Sequence, residues 1–242
     1  MFLSDRDIVK RMESKDITIY PFHEDCLTPI GYQMHLLDVV KFYRGNATID
    51  FEGSQEEFEK KHLRRVELSK HNYELLIRPR ESVLVGTFEE LGVSRKVGGM
   101  FVPSMISRSP LYAQIGVLVP GWNENMAGIY SICLTNLSDE KAIRIKASYK
   151  KDNKVHIRDQ IGRIVYGSPS SEVLQGYDDA IYAYPHAREP QPPVSWLRYK
   201  ELKKRPIPLD PKKAPKGSKL VTDIVESLDF FADDNRGKKR RK

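Results

Sequence analysis

Through the first 170 positions apolar residues recur in short alternating runs, the two-residue period of strands with one buried face. Ile17-Thr18-Ile19-Tyr20 is stopped by Pro21, and similar runs lie at residues 39–43, 73–77, 82–86, 129–134 and 163–166. Gly, Pro, Asn and Asp clusters separate them, as turns require. One helical pattern precedes the strands. Ser4 is placed to cap residues 5–13, Asp5 and Asp7 sit at the positive end of the dipole, and Ile8, Val9 and Met12 form an apolar stripe. The charged stretch at 56–65 reads as a polar insertion with a short helix. Many short strands without long helices between them predict an all-β sandwich or barrel.

The texture changes at Pro185. Eight of the 15 prolines fall in 185–215, among lysines and arginines, which predicts an irregular extension. Val221, Ile224, Val225, Leu228 and Phe231 then recur at helical spacing, a candidate docking helix at 220–231. The expected organisation is a β domain over 1–184 and a Pro-rich basic extension over 185–242.

Charge follows the same division. The chain carries a formal +7, yet residues 185–242 hold 16 Lys and Arg against 8 Asp and Glu, so the body is close to neutral. The basic end has two readings, a solvated terminus or nonspecific nucleic-acid contact through counterion release. No run of eighteen apolar residues occurs, which predicts no membrane-spanning helix. The charged N-terminus lacks the apolar stretch of a secretory signal, and Cys26 and Cys133 are too few for a disulfide framework. A reducing, cytoplasmic location is expected. The histidines form no metal-ligand spacing, and neither a P-loop nor a Gly-x-Ser-x-Gly motif is present.

Several segments, taken together, carry a family resemblance. Met1-Phe2-Leu3-Ser4-Asp5-Arg6-Asp7-Ile8 with Ile17-Thr18-Ile19-Tyr20-Pro21-Phe22, then Pro29-Ile30-Gly31-Tyr32-Gln33-Met34-His35-Leu36, stand at the start. Val83-Leu84-Val85-Gly86-Thr87-Phe88-Glu89, Ser107-Arg108-Ser109-Pro110-Leu111 with Gly116-Val117, and Gly121-Trp122-Asn123-Glu124-Asn125-Met126-Ala127-Gly128 come next. Leu134-Thr135-Asn136-Leu137 and Asp159-Gln160-Ile161-Gly162-Arg163-Ile164-Val165-Tyr166 close the series. In this order, over about residues 1–167, they resemble the dCTP deaminases and bifunctional dCTP deaminase/dUTPases. The resemblance implies a distorted β-barrel that forms a homotrimer with nucleotide sites between subunits, and a role in pyrimidine deoxynucleotide metabolism. An active member would be a dCTP deaminase or a dUTP diphosphatase-type hydrolase.

Site residues follow from the same resemblance. Arg108 and Ser109 would hold phosphates, as a guanidinium fork and a hydroxyl can; Pro110 beside them removes one N–H donor. Arg108 reads equally as a surface or interface ion pair. Gln33 would contact sugar or base, and Tyr32 and Trp122 would border them or simply pack in the core. Glu124 is the remaining acid for water activation, against a plain turn residue. Two family acids are replaced. Metal-free deamination at cytosine C4 needs a carboxylate to move protons, and that position is Cys133, whose thiol titrates near 8.5 and higher when buried; Cys133 reads otherwise as a small core residue. The first-motif aspartate is Gln33, an amide that is neither a base nor a good Mg²⁺ partner. Mg²⁺ would enter with a nucleoside triphosphate. The alternative function is a non-catalytic trimeric structural or regulatory protein whose basic tail binds nucleic acid or a protein.

Overall fold

The computed structural model describes residues 1–45, 55–103, 110–113, 115–123, 127–173 and 187–191. The predicted helix at 220–231 and the terminal basic cluster lie outside the described residues. The elements in chain order are α1 (Asp5–Glu13), β1 (Ile17–Tyr20), β2 (Leu27–Thr28), β3 (Gly31–Tyr43), α2 (Gln55–His62), β4 (Leu63–Glu67), β5 (Glu74–Ile77) and β6 (Ser82–Val93). They continue with β7 (Gly98–Pro103), β8 (Leu111–Ala113), β9 (Gly116–Leu118), β10 (Gly128–Asn136), β11 (Ile143–Lys146), β12 (Tyr149–Lys151), β13 (Lys154–His156) and β14 (Gln160–Gly167).

The predicted N-terminal helix is present, with Ser4 and Asp7 capping it reciprocally and Ile8 as its buried anchor. The stretch at 56–65 divides. Its first part is α2, whereas Leu63 onward is an edge strand, because β3 offers a free ladder on that side and Leu63 finds a buried place there. All pairings are antiparallel, in the order β8-β10-β6-β3-β14-β7-β9, with β1 on β6 and β2 and β4 on β3. The long strands β3 and β6 lie at the centre, and the sheet curls into a half-barrel around the apolar cluster they bury. Val40, Leu36, Val85, Leu91 and Leu134 are fully enclosed within that cluster. Two small sheets, β5–β11 and the β12–β13 hairpin, complete the described body. This is the all-β fold the sequence predicts. No helix among the described residues is long and apolar enough to cross a membrane.

Register shifts bend the central strands. The ladder between β3 and β6 passes from Leu36↔Thr87 to Val40↔Val85, so residues 37–39 bulge on β3. A second shift sits between Ile129 and Ser131 of β10. A third lies between Gln160 and Gly162 of β14.

Candidate functional site

Cys133 pairs with Leu84, Leu84 with Lys41, and Lys41 with Arg65, on four adjacent strands. Directly opposed residues share a face, so these side chains form one row across the outer side of β10, β6, β3 and β4. The alternate positions Leu134, Val83 and Phe42 turn inward to the main core. Helix α2 covers part of the row: Phe58 packs with Leu63, Leu84 and Tyr43, and Glu59 accepts a hydrogen bond from Lys41 Nζ at 2.8 Å. Lys41 is 5% exposed, so this ion pair satisfies a charge that burial would otherwise penalise. Arg65 bridges Glu67 and Glu189. Hydrogen bonds from Lys70 and Arg65 hold the Glu67 carboxyl down at about 2.

A segment from beyond the last strand lies along this face. The Ala187 carbonyl accepts from the Ile129 N–H at 2.9 Å, and the Gln191 N–H donates to Ser131 Oγ at 3.0 Å. Arg188 pairs with Glu90, and both oxygens of Glu189 accept from Arg65. Pro190 is buried beside Gly86, where an added Cβ would stand 2.6 Å from Ile129 Cδ1. Ser131 and Gly86 are cross-strand partners and each lies two residues from Cys133 or Leu84 along its own strand. Residues 187–191 therefore cross the face immediately beside Cys133.

Burial pushes the Cys133 thiol up, only partly opposed by its interaction with the Thr135 hydroxyl, so it stays a protonated and poor proton carrier at neutral pH. Cys133 is half-buried on the outer face rather than enclosed in the core. The Tyr43 phenol is likewise raised by burial, with Cys133 as the lesser cause. Asp38, in the β3 bulge, is a group that sequence reasoning missed. Burial raises its carboxyl, its own backbone N–H opposes this, and Glu67 and Arg65 act on it in opposite directions. A half-buried carboxyl with a raised titration point is a proton-handling candidate. Its sequence signal was a lone aspartate ahead of an apolar run, which turn chemistry explains equally well. Lys41 and Glu59 were missed too, since only the packing of α2 brings them together.

The other predicted residues divide by location. Arg108, Ser109 and Glu124 lie outside the described residues. Gln33 sits on β3 opposite Arg163 of β14, eight residues before Lys41, about 26 Å along an extended strand. Gln33 and the Cys133 row are thus at different ends of β3 in one protomer. The Tyr32 side chain is wholly enclosed, its hydroxyl accepting from the His23 N–H at 2.8 Å and its ring 5.4 Å from Phe22, and burial drives its phenol far up. Trp122 is 8% exposed and meets Tyr130 edge-on at 5.9 Å. Asn123 beside it adopts a left-handed φ of 51° and donates to the Leu91 carbonyl at 3.3 Å, holding the turn to β6. At Gly116 an added Cβ would stand 1.9 Å from the Tyr130 hydroxyl, so a larger residue there requires that side chain to move.

A second buried polar unit joins β3 to β6. His35 gives its backbone N–H to Glu89 Oε2 at 2.9 Å, and its Nδ1 lies 2.6 Å from Glu89 Oε1. Their side chains are 3% and 0% exposed. The Thr87 hydroxyl donates to the Glu89 carbonyl and accepts from the Tyr130 N–H, extending the network to β10. This unit lies beside the β3 bulge and fixes the strands at the point where their register shifts.

Among the described residues no three His, Cys, Asp or Glu side chains gather as a metal site.

The chain matches the family described as dCTP deaminase-like over residues 2–146. No curated protein matches it. Among solved structures it is similar to the 2'-deoxycytidine 5'-triphosphate deaminase of Agrobacterium tumefaciens, with 11% identity and a TM-score of 0.47 over 68% of this chain. It spans only 46% of that structure's length. It is also similar to a dUTPase variant of Staphylococcus bacteriophage 80alpha with dUpNHpp, with 11% identity, 66% and 94% coverage and a TM-score of 0.34. The phage phi11 dUTPase from S. aureus, whose structure describes a structural Mg(II) ion, matches at 10% identity, 68% and 98% coverage and a TM-score of 0.35. More than half of the sequence thus falls under one family description, on the curled antiparallel sheet that its motifs imply, and the chain belongs to the dCTP deaminase-like family.

Proposed function

We propose that the protein binds a pyrimidine deoxynucleoside triphosphate between subunits of a homotrimer and turns it over slowly or not at all. The observation that carries this reading is Cys133. It stands on β10 where the family resemblance expects a glutamate, and burial raises its thiol instead of supplying a carboxylate. Deamination requires a group that takes a proton from water and returns one to ring nitrogen and leaving ammonia. Of the carboxylates near this face, Glu59, Glu67 and Glu189 are each bonded to a cation, which leaves Asp38 as the group able to exchange a proton.

The separation of Gln33 from Cys133 supports a site completed by a second copy, since one protomer holds them at opposite ends of β3. Arg108 and Ser109 supply the phosphate grip in this reading, Glu124 orients water, and Tyr32 and Trp122 shape the wall from behind. Mg²⁺ accompanies the triphosphate and draws no ligand from Gln33. The β body over 1–184 carries the site, and from the extension over 185–242 residues 187–191 reach its face.

One observation favours the second reading, a non-catalytic structural or regulatory trimer. Residues 187–191 lie on the same face beside Cys133, held by two hydrogen bonds and two ion pairs. Isothermal titration with dCTP and dUTP, each with Mg²⁺, tests both. Binding tighter than about 100 μM (about −5.5 kcal/mol) without ammonia or diphosphate release is expected from the first reading. Absence of heat with either nucleotide removes it and leaves the second. Cys133→Glu is expected to raise ammonia release from dCTP by at least tenfold, and Asp38→Asn to abolish what turnover the native chain has.

A further inference from the structure

The near-neutral charge of the body conceals a local segregation. Three depressions at the β4–β5–β11 corner share their walls. One of about 300 Å³ is floored by Phe42, Leu75 and Leu76 and rimmed by Arg64, His71 and Arg144. A second, of about 250 Å³, shares Arg64, Val66 and His71 with it. The third, of about 110 Å³, shares Glu74 with the first and is lined by Tyr73, Lys146, Tyr149 and Arg158. The first two adjoin along three shared residues and the third meets the first at Glu74, so the depressions lie side by side as an interrupted groove.

Its acids are already engaged. Glu67 pairs with Arg65 and Lys70, and Glu74 with Arg144 at 3.5 Å. Arg64, Lys146 and Arg158 make no ion pair among the described residues, and all three are exposed. The register of β5 with β11 pairs Glu74 with Lys146 and Leu76 with Arg144, while Leu75 and Ile145 are buried between them. Arg144 and Lys146 therefore stand on one outer face about 7 Å apart, the i,i+2 spacing of a strand. The groove ends at the β12–β13 hairpin, where Lys150, Lys151 and Lys154 are exposed. The hairpin is fixed in place by a ring ladder: Tyr73 lies 3.7 Å from Tyr149, and Tyr149 4.6 Å from His156.

We propose that this groove binds the phosphodiester backbone of single-stranded nucleic acid, independently of the basic tail. Arg64 lies over the Phe42 ring and Arg158 over the Tyr149 ring, and with Lys146 they present exposed charge without an ion-pair partner among the described residues. They line concave depressions, which admit an extended polyanionic strand and not a flat bilayer. Tyr149 has both ring faces occupied by Tyr73 and His156, so it offers no base platform. Recognition is then of backbone charge, without sequence preference.

Fluorescence anisotropy of the full chain with fluorescein-labelled dT20, from 50 to 200 mM salt, tests this. The triple substitution Arg64→Gln, Lys146→Gln, Arg158→Gln is expected to weaken binding at least tenfold at 100 mM salt. It should also lower the slope of log K against log salt by about 2, three contacts at roughly 0.7 each. The charge-retaining triple Arg64→Lys, Lys146→Arg, Arg158→Lys should bind within about twofold of the native chain. Equal affinity and slope for the glutamine triple, no binding by the native chain, or binding to phosphatidylserine vesicles but not to dT20 would each overturn the proposal. Should the glutamine triple lose its native circular dichroism, photo-crosslinking of the native chain to 5-iodouracil oligonucleotide decides. Crosslinks within 64–76 and 144–158 support the groove, and crosslinks confined to 192–242 refute it.

Discussion

The buried polar residues show how unequal two enclosed groups can be. His35 and Glu89 are both inside the fold, yet each satisfies the other through two short contacts, so their burial costs little and ties β3 to β6. Tyr166 is the opposite case. Its ring is wholly buried and its hydroxyl finds no hydrogen-bond partner among the described residues, and burial drives the phenol far above its usual range. An unsatisfied buried hydroxyl costs roughly 1–3 kcal/mol. Tyr166→Phe keeps the packing and removes that cost, so it is expected to raise stability by about 1 kcal/mol, read as a higher urea midpoint at unchanged slope. A lower midpoint would mean that the hydroxyl has a partner after all. Neither residue was legible as buried polar chemistry in the sequence. Glu89 sits in an apolar strand run and Tyr166 in another, and only the strand they face reveals whether they are satisfied.

Helix α1 and the sheet are joined through one carboxylate. Asp16, just after the helix, accepts hydrogen bonds from Arg11, Ser14 and Ser94 at 2.7, 3.1 and 2.8 Å. Burial pushes its carboxyl up, but these three bonds together outweigh burial and leave it below its ordinary value of 3.8. A carboxylate with a lowered folded-state titration point adds stability above its unfolded value and loses it as pH falls through the folded one. Thermal melts should therefore show Asp16→Asn melting several degrees below the native chain at pH 7, with the gap narrowing as pH falls below 3.8. A gap that does not narrow at all between about pH 5 and pH 2 would show that packing, not charge, is responsible. The elements themselves were mostly readable: the cap at Ser4, the strand at 17–20 and the alternating runs all recur in the structure. The edge strand at Leu63–Glu67 was not, because two arginines in a charged stretch carry no strand signal of their own. Their place is set by the open ladder of β3 and by Phe58 and Leu84 around Leu63.

For the whole molecule, the assembly decides whether the scattered candidates form a site. Gln33 and Cys133 lie at different ends of β3 in one protomer, and under the proposed nucleotide reading light scattering on the full chain is expected to give about three times the 27.9 kDa chain mass. A monomer would leave the nucleotide reading without a pocket. The amino-acid sequence by itself determined the all-β architecture, the capped first helix and the family, because strand period, capping and ordered motifs are local properties of neighbouring residues. Its resemblance to that family implies that Cys133 and Gln33 stand where the family pattern has acids. The tertiary structure alone decided that Cys133, Leu84, Lys41 and Arg65 share a row, that 187–191 lies across it, and that Asp38 is half-buried with a raised carboxyl. It likewise placed Arg64, Lys146 and Arg158 on the walls of adjoining depressions. Each of these depends on the register between strands distant in the chain, and a change of one residue in that register would turn every side chain involved to the opposite face.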